Sequence, residues 1–337
     1  MAEILPDRAH AGVSVVIPNW NGRRWLPGCL ASLAEQQRAA DEVIVVDNGS
    51  RDGSIDYLRR EHPQVRRLEM GANTGFAYAV NRGVEAARGE WIALINTDVV
   101  LSADWIARML DAATRPPDAD AVAAVACKML SLHRPSLVYD AGDILRRDGV
   151  CEQRGRFMRD DGRFDQPGEV FGACAGAALL RRRAVLELGG FDERFFAYLE
   201  DADLALRLRL AGWRCRYEPV VALHAGEGSS GQLAGGHHPL VARNTLLLVA
   251  KAWPVRWLGL VAYRQLSAAW WALRERRLLA HVRGLASALP LLPGALAARR
   301  RLLREAVVPI SAAVPPRPWR GAEAAGHRSQ HDQLDRA

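Results

Sequence analysis

Over the first 113 residues the apolar positions come in short runs, and a segment with helical spacing follows each one. Val13 to Ile17 is a β-branched run closed by Pro18; Glu42 to Asp47 and Val65 to Met70 are the next two. Trp91 to Ile95 is the fourth, bounded by Gly89 before it and by Asn96-Thr97-Asp98 after it. Runs this short and this uniformly apolar suit parallel strands covered on both faces. The intervening segments carry a helical pattern around Cys29, Leu30 and Leu33, from Ile55 to Arg60, and from about Ala103 to Ala113. Phe76, Val80 and Val84 recur at i, i+4 and i+8, one apolar face of a helix. Four alternations of strand and helix predict an α/β fold with a doubly wound, mostly parallel sheet.

Past Pro116-Pro117 the pattern loosens. Ala121 to Met129 predicts a further strand, and the polar, Gly- and Arg-rich stretch from Leu132 to Gly168 predicts a hairpin or mobile loop over the site. Val170 to Leu180 is rich in small residues, as expected where backbone approaches a ligand or a neighbouring strand. A helix is expected between Gly189 and Gly212, with Glu200, Asp201 and Asp203 in its first turn and Leu204 and Leu208 on one face. Two short final strands, Trp213 to Tyr217 and Val220 to Leu223, lead to His224. From Trp257 to Leu273 runs the longest apolar stretch, interrupted by Arg264 and Gln265 and short for a membrane span. A basic helix bearing Trp257, Trp270 and Trp271 lies in a membrane interface or packs on the main domain. Arg299-Arg300-Arg301 suits anionic lipid, and the Pro- and Ala-rich composition after about Pro309 predicts disorder. The expected organisation is a catalytic domain over 1–235, with halves meeting near 115, a helical extension over 236–310 and a tail over 311–337.

The 337 residues are enough for a large core. Five scattered cysteines without a C-x-x-C pair fit buried thiols in a reducing compartment, and the N-terminus lacks the apolar core of a signal peptide. A cytoplasmic protein is expected. The net charge of +7 is unevenly placed: residues 251–337 hold 15 Lys and Arg against 5 Asp and Glu, while residues 1–250 hold 30 against 33. An acidic first 250 residues argues against an extended nucleic-acid face. Neither G-x-G-x-x-G nor G-x-x-x-x-G-K-[ST] occurs in the N-terminal loops, which disfavours a dinucleotide dehydrogenase and a P-loop enzyme.

Three of the expected strands end in Asn or Asp: Pro18-Asn19, Asp47-Asn48 and Asn96-Thr97-Asp98. In a parallel sheet their loops share one edge, the edge where ligands bind. Helix capping explains each one singly; together they form a polar cluster able to meet a base, a ribose and a metal-bound diphosphate. Asp98 suits a hard divalent cation that completes its shell with phosphate and water, and His224, at a strand end, is the candidate second ligand. Glu200 and Asp201 are neighbours on a helix and diverge by roughly 100°, so one of them serves as a single base for an acceptor hydroxyl, not both as a dyad.

The motifs V-S-V-V-I-P-N-W-N-G, V-I-V-V-D-N-G-S-R-D-G-S, N-T-G-F-A-Y-A-V-N-R-G, L-I-N-T-D and F-F-A-Y-L-E-D-A-D-L-A-L-R-L-R-L-A-G-W follow one another from Val13 onward. Together they resemble the family 2 glycosyltransferases, inverting enzymes with the GT-A fold. The resemblance runs to about Trp253 and is most like the bacterial rhamnosyltransferase-type branch. It implies donor binding by Pro18, Asn19, Asp47, Asn48, Asn73, Gly75, Asn96, Thr97 and Asp98, with Asp47 on the base. It further implies Asp201 as catalytic base supported by Glu200, and Mg²⁺ or Mn²⁺ held by Asp98 and His224. The family's D-x-D is here N-T-D, so Asn96 stands where the first carboxylate is usual. The implied reaction moves a sugar from a nucleotide-sugar donor, dTDP-rhamnose or a UDP-sugar, to a lipid-linked or polysaccharide hydroxyl at the cytoplasmic face of the membrane. The rival readings are a sugar nucleotidyltransferase and a non-catalytic nucleotide- or nucleic-acid-binding protein.

Overall fold

The computed structural model describes residues 12–225 and 239–316. The first half follows the expected alternation: β1 (Val13–Asn19), α1 (Leu26–Ala34), β2 (Glu42–Asp47), α2 (Ser54–Glu61), β3 (Arg66–Glu69), α3 (Phe76–Ala86) and β4 (Trp91–Ile95). After it come β5 (Val99–Leu101), α4 (Trp105–Thr114), β6 (Val122–Ser131), β7 (Val138–Asp140), β8 (Asp143–Leu145), β9 (Cys151–Gln153), β10 (Gly168–Val170) and β11 (Ala177–Arg181). The chain continues through α5 (Arg182–Glu187), α6 (Glu200–Leu210), β12 (Arg214–His224), α7 (Pro239–Ala252), α8 (Leu258–Arg274), α9 (Leu278–Ala288), α10 (Leu292–Glu305) and α11 (Ile310–Ala313).

One sheet organises the molecule, in the order β10-β12-β6-β11-β4-β1-β2-β3. The run β3-β2-β1-β4 is wholly parallel, so the ends of β1, β2 and β4 do share one edge. β11 then runs opposite to both β4 and β6, and the sheet is mixed beyond that seam. Every residue of β4 is fully buried, because helices cover both faces. One apolar layer joins Ile17, Leu30, Val45, Trp91 and Trp105; the other joins Val16, Val46, Val80, Leu94 and Leu204.

Several expectations change. The two final strands are one, β12, whose register on β6 shifts between Glu218 and Val221; Pro219 interrupts the apolar run there without ending the strand. β5, which lies between the expected fourth strand and the expected helix from about Ala103, pairs antiparallel with the end of β12. Of the two readings of the 132–168 stretch, the hairpin is present and the segment is tied down rather than a mobile loop. β7 pairs with β6, β8 and β9 form a hairpin, and buried Lys128 ties Asp160 at 3.1 Å and Asp165 at 2.5 Å. The expected tail from 311 onward begins with structure: Ile310–Ala313 is helical, Val314 is fully buried, and Arg147 donates to the Val314 carbonyl at 3.0 Å. Residues 317–337 lie outside the described residues.

The C-terminal helices divide into two kinds. α7 is packed on the main domain, with Asn244, Leu247, Leu248 and Lys251 buried. α8 is mostly exposed, and Tyr263, Leu266, Trp270 and Leu273 recur along it at i, i+3, i+7 and i+10, one helix face. By length and composition Leu278–Glu305 is long and apolar enough to cross a membrane. It nevertheless leans on α7: a side chain at Gly284 would collide with the Pro239 backbone, and Arg299 donates to the Trp253 carbonyl at 2.9 Å.

Candidate functional site

The edge formed by β1 and β2 is a network of amides and carboxylates. The Asn19 Nδ2 donates to Asp47 Oδ1 at 2.7 Å, and the Ser50 N–H donates to Asp47 Oδ2 at 3.0 Å, which fixes the carboxylate plane. Gly49 adopts φ +77°, and a Cβ there would lie 2.6 Å from the Ala72 backbone, so only glycine lets the two loops meet. Asn48 ties those loops together. Its Oδ1 accepts from the Thr74 N–H and hydroxyl at 2.9 and 2.8 Å, and its Nδ2 donates to Asn73 Oδ1 and the Gly75 carbonyl at 3.1 Å each. Asn73 Oδ1 also accepts from the Gly75 N–H at 3.0 Å. Asn48 and Asn73 thus spend their amides on the cradle itself. Pro18 sits opposite Val46 within the β1–β2 pair. Thr97 and Asn19 converge over Gly22, where a Cβ would collide with Asn19 Oδ1 and lie 2.9 Å from Thr97 Oγ1.

At the end of β4 the Asn96 N–H donates to the Gly176 carbonyl at 2.9 Å, while its own Oδ1 is buried without a partner among the described residues. Asp98 is buried, and the β5–β12 pairing brings His224 to it, with Nε2 3.6 Å from Oδ1. Tyr139 stacks on the imidazole at a centroid distance of 4.2 Å. Burial lowers the His224 pKa and the Asp98 charge opposes this only in part, so the ring is neutral and its nitrogen can act as a ligand. This pair fits a divalent cation: one carboxylate and one imidazole, close enough to share an ion, and too few protein groups to cage it. No group of three or more His, Cys, Asp and Glu that could hold a metal occurs among the described residues, so an ion at this pair would have to take most of its ligands from phosphate and water.

The α6 N-terminus supplies the other polar group of the edge. Asp201 Oδ2 accepts from the Ala175 N–H at 3.1 Å and Oδ1 from the Ala202 N–H at 2.8 Å. Burial raises the carboxyl pKa, and those backbone donors pull it partly back. Glu200 is pushed well up, first by burial and then by the Asp201 charge, and its Oε2 has no partner among the described residues. Burial thus raises both neighbouring carboxyls, and Asp201 has backbone N–H donors on both of its oxygens.

Sequence reasoning missed two members of this cluster. Asp140 and Asp143 are buried on either side of Gly142, which takes φ +100°. Burial raises Asp140 to about 7; burial and the Asp140 charge push Asp143 well up. The only signal was D-A-G-D inside a stretch read as loop. Arg156 was also missed: its guanidinium lies 4.6 Å from the centre of the Tyr139 ring that stacks on His224.

Comparison with known proteins agrees with this geometry. The family model described as Glycosyl transferase family 2 matches residues 14–189. An N-acetylglucosaminyl-diphospho-decaprenol L-rhamnosyltransferase of Mycobacterium tuberculosis is 32% identical over 292 residues, 76% of this chain and 89% of the relative. A PGL/p-HBAD biosynthesis glycosyltransferase of Mycobacterium bovis is 31% identical over 198 residues, 58% of this chain and 68% of that one. Among solved structures, a mannosyltransferase of Pyrobaculum calidifontis in complex with GDP-Man and Mn²⁺ superposes with a TM-score of 0.53 at 21% identity, covering 95% of this chain and 88% of its own. At those identities the likeness speaks for the fold, which is GT-A. The chain is a glycosyltransferase, and it belongs to glycosyl transferase family 2.

Proposed function

We propose that this enzyme moves a sugar, with inversion, from a nucleoside-diphosphate donor to a hydroxyl of a lipid-linked acceptor in envelope glycan synthesis. The relative of M. tuberculosis, matched over 89% of its length, supports a rhamnosyl donor and an N-acetylglucosaminyl-diphospho-lipid acceptor; a UDP-sugar is the second choice of donor. The observation that carries the reading is Asp201, a part-buried carboxylate of raised pKa fixed by two backbone N–H groups on the edge that holds Asp47 and Asp98. It takes the proton of the acceptor hydroxyl as that oxygen attacks the anomeric carbon and the nucleoside diphosphate departs on the opposite side. Asp47 orients the base, the Asn48 and Asn73 cradle holds the loops around it, and alignment of the two substrates supplies much of the rate. Asp98 and His224 would hold Mg²⁺ or Mn²⁺, which when bound neutralises charge building on the leaving diphosphate.

Acceptors of this kind sit in a bilayer, and α8 suits its surface: the Tyr263, Leu266, Trp270 and Leu273 face is flanked by Arg264 and Arg274. Peripheral attachment at the cytoplasmic face, not a span, agrees with the packing of α9 and α10 on α7. A nucleotidyltransferase gains no support: the link from β1 to α1, W-N-G-R-R-W, is not a Gly-rich phosphate loop, and its two arginines lie against aromatic rings, Arg23 over Tyr57 and Arg24 over Trp25. The test is transfer from dTDP-rhamnose and UDP-sugars to a lipid-diphosphate N-acetylglucosamine, with wild type and Asp201→Asn compared. Turnover should fall in wild type as pH drops through the raised carboxyl pKa, and Asp201→Asn should lose transfer. Transfer surviving in Asp201→Asn would remove the base.

A further inference from the structure

The segment that presents Asp201 to the donor edge is strained without glycine. Phe196 has φ 62° and ψ −64°, and the Ala197 N–H donates to the Phe195 carbonyl at 2.6 Å. Those values describe a γ-turn of positive φ, a rare and strained form. Tyr198 at φ 70° and Leu199 at φ 64° follow, both left-handed. Three such residues within four positions persist only where the surroundings over-determine them.

What over-determines them lies outside the nucleotide-binding sheet. The fully buried Asn244 of α7 donates through Nδ2 to the carbonyls of Phe195 at 3.0 Å, Ala197 at 2.8 Å and Tyr198 at 2.6 Å. That amide shares its two N–H groups among three carbonyls of the turn, and the neighbouring Arg243 adds a donor to the Phe195 carbonyl at 2.5 Å. Lys251 lies seven residues on, two helical turns along the same face. It grips both flanks of the segment, donating to Asp192 Oδ2 at 2.7 Å and pairing with Asp203 in the first turn of α6. The far side of the turn touches the donor cradle. The Phe196 carbonyl accepts from the Ala77 N–H at 3.2 Å, and a Cβ at Gly75 would lie 2.6 Å from the Phe196 ring.

We propose that Asn244 is a positioning residue: by clamping the Phe196–Leu199 turn it sets where Asp201 stands relative to the donor cradle. The proposal rests on Asp201 being the base. The cradle has its own hydrogen bonds through Asn48 and Asn73, so loss of the clamp displaces the base and leaves the nucleotide site intact. A shift of about 1 Å at a reacting group costs on the order of 100-fold.

The experiment compares wild type, Asn244→Ala and Asn244→Ala/Tyr198→Gly. Turnover is read at saturating donor and acceptor, and affinity is read with UDP and dTDP in the presence of Mn²⁺. Asn244→Ala should lose roughly 100-fold in kcat, with nucleotide affinity within about threefold of wild type. Glycine adopts positive φ without strain, so Tyr198→Gly should return at least tenfold of the lost turnover. A merely structural asparagine would not be rescued in this way. Wild-type kcat in Asn244→Ala, absence of rescue by glycine, or nucleotide affinity falling in step with kcat would each overturn the proposal. Failure of the base shows instead as transfer in Asp201→Asn, so the two are told apart.

Discussion

Asp47 and Asp201 stand at the same edge of one sheet, yet they are held in opposite ways. Asp47 is fixed by Asn19 and Ser50, groups from the two adjoining strand ends. Around it the cradle is closed by side-chain amides that satisfy one another, with glycine wherever the loops must touch. Asp201 is reached through a strained turn and neighboured by carboxylates with unpaired oxygens, and its clamp comes from a helix more than 40 residues further along the chain. The Asp47 side is closed by short-range pairs. The Asp201 side keeps buried carboxyls of raised pKa close together, which suits the change of protonation proposed for its base.

The sharpest way to break this contrast is to neutralise each carboxylate in turn. Asp201→Asn should lower kcat by about 10³-fold or more while changing nucleotide affinity less than about twofold; equal losses in both would erase the division of labour. Asp98→Ala comes next, with about 100-fold lower turnover and weaker nucleotide binding only when Mn²⁺ is present. The same weakening in a chelator would count against a cation at Asp98 and His224. Asp47→Asn should act in the reverse sense to Asp201→Asn, raising the nucleotide Kd by about tenfold, near 1.4 kcal/mol, with kcat little changed.

The last effect concerns stability rather than turnover. Burial raises the Asp140 pKa from 3.8 to about 7, so the folded state holds a proton that the unfolded state has already released. Stability from this group is therefore present at low pH and lost as pH rises through 7. Asp140→Asn should raise stability at pH 8 by on the order of 1–3 kcal/mol and flatten its decline between pH 4 and 7, as read by denaturant unfolding. An unchanged slope would mean that the carboxyl is not protonated in the folded protein.

The same contrast explains what the sequence disclosed. Glu42–Asp47 was legible to the residue, and so was the edge shared by the ends of β1, β2 and β4, because strand periodicity and strand-end chemistry are local. β5 was not, since three residues make no period and its partner, β12, lies more than 100 positions away. Asp140 and Asp143 read as loop residues because burial, not residue type, makes them unusual. The Phe196–Leu199 turn left no trace at all: strain is normally flagged by glycine, and here the permission comes from Asn244.

The reversal of chain direction between β4 and β11 has a use beyond architecture. On the proposed function the parallel run up to β4 meets the nucleotide and most later elements meet the second substrate, the exceptions being Asp98 just after β4 and His224 at the end of β12, which face each other. The seam is joined by one antiparallel ladder and a few cross-links such as Arg181 to Glu90 and Arg182 to the Val84 carbonyl. It is therefore the natural crossover point for recombining two such enzymes. A chimera cut after α4 that keeps the ladder residues would exchange what receives the sugar and retain the choice of nucleotide.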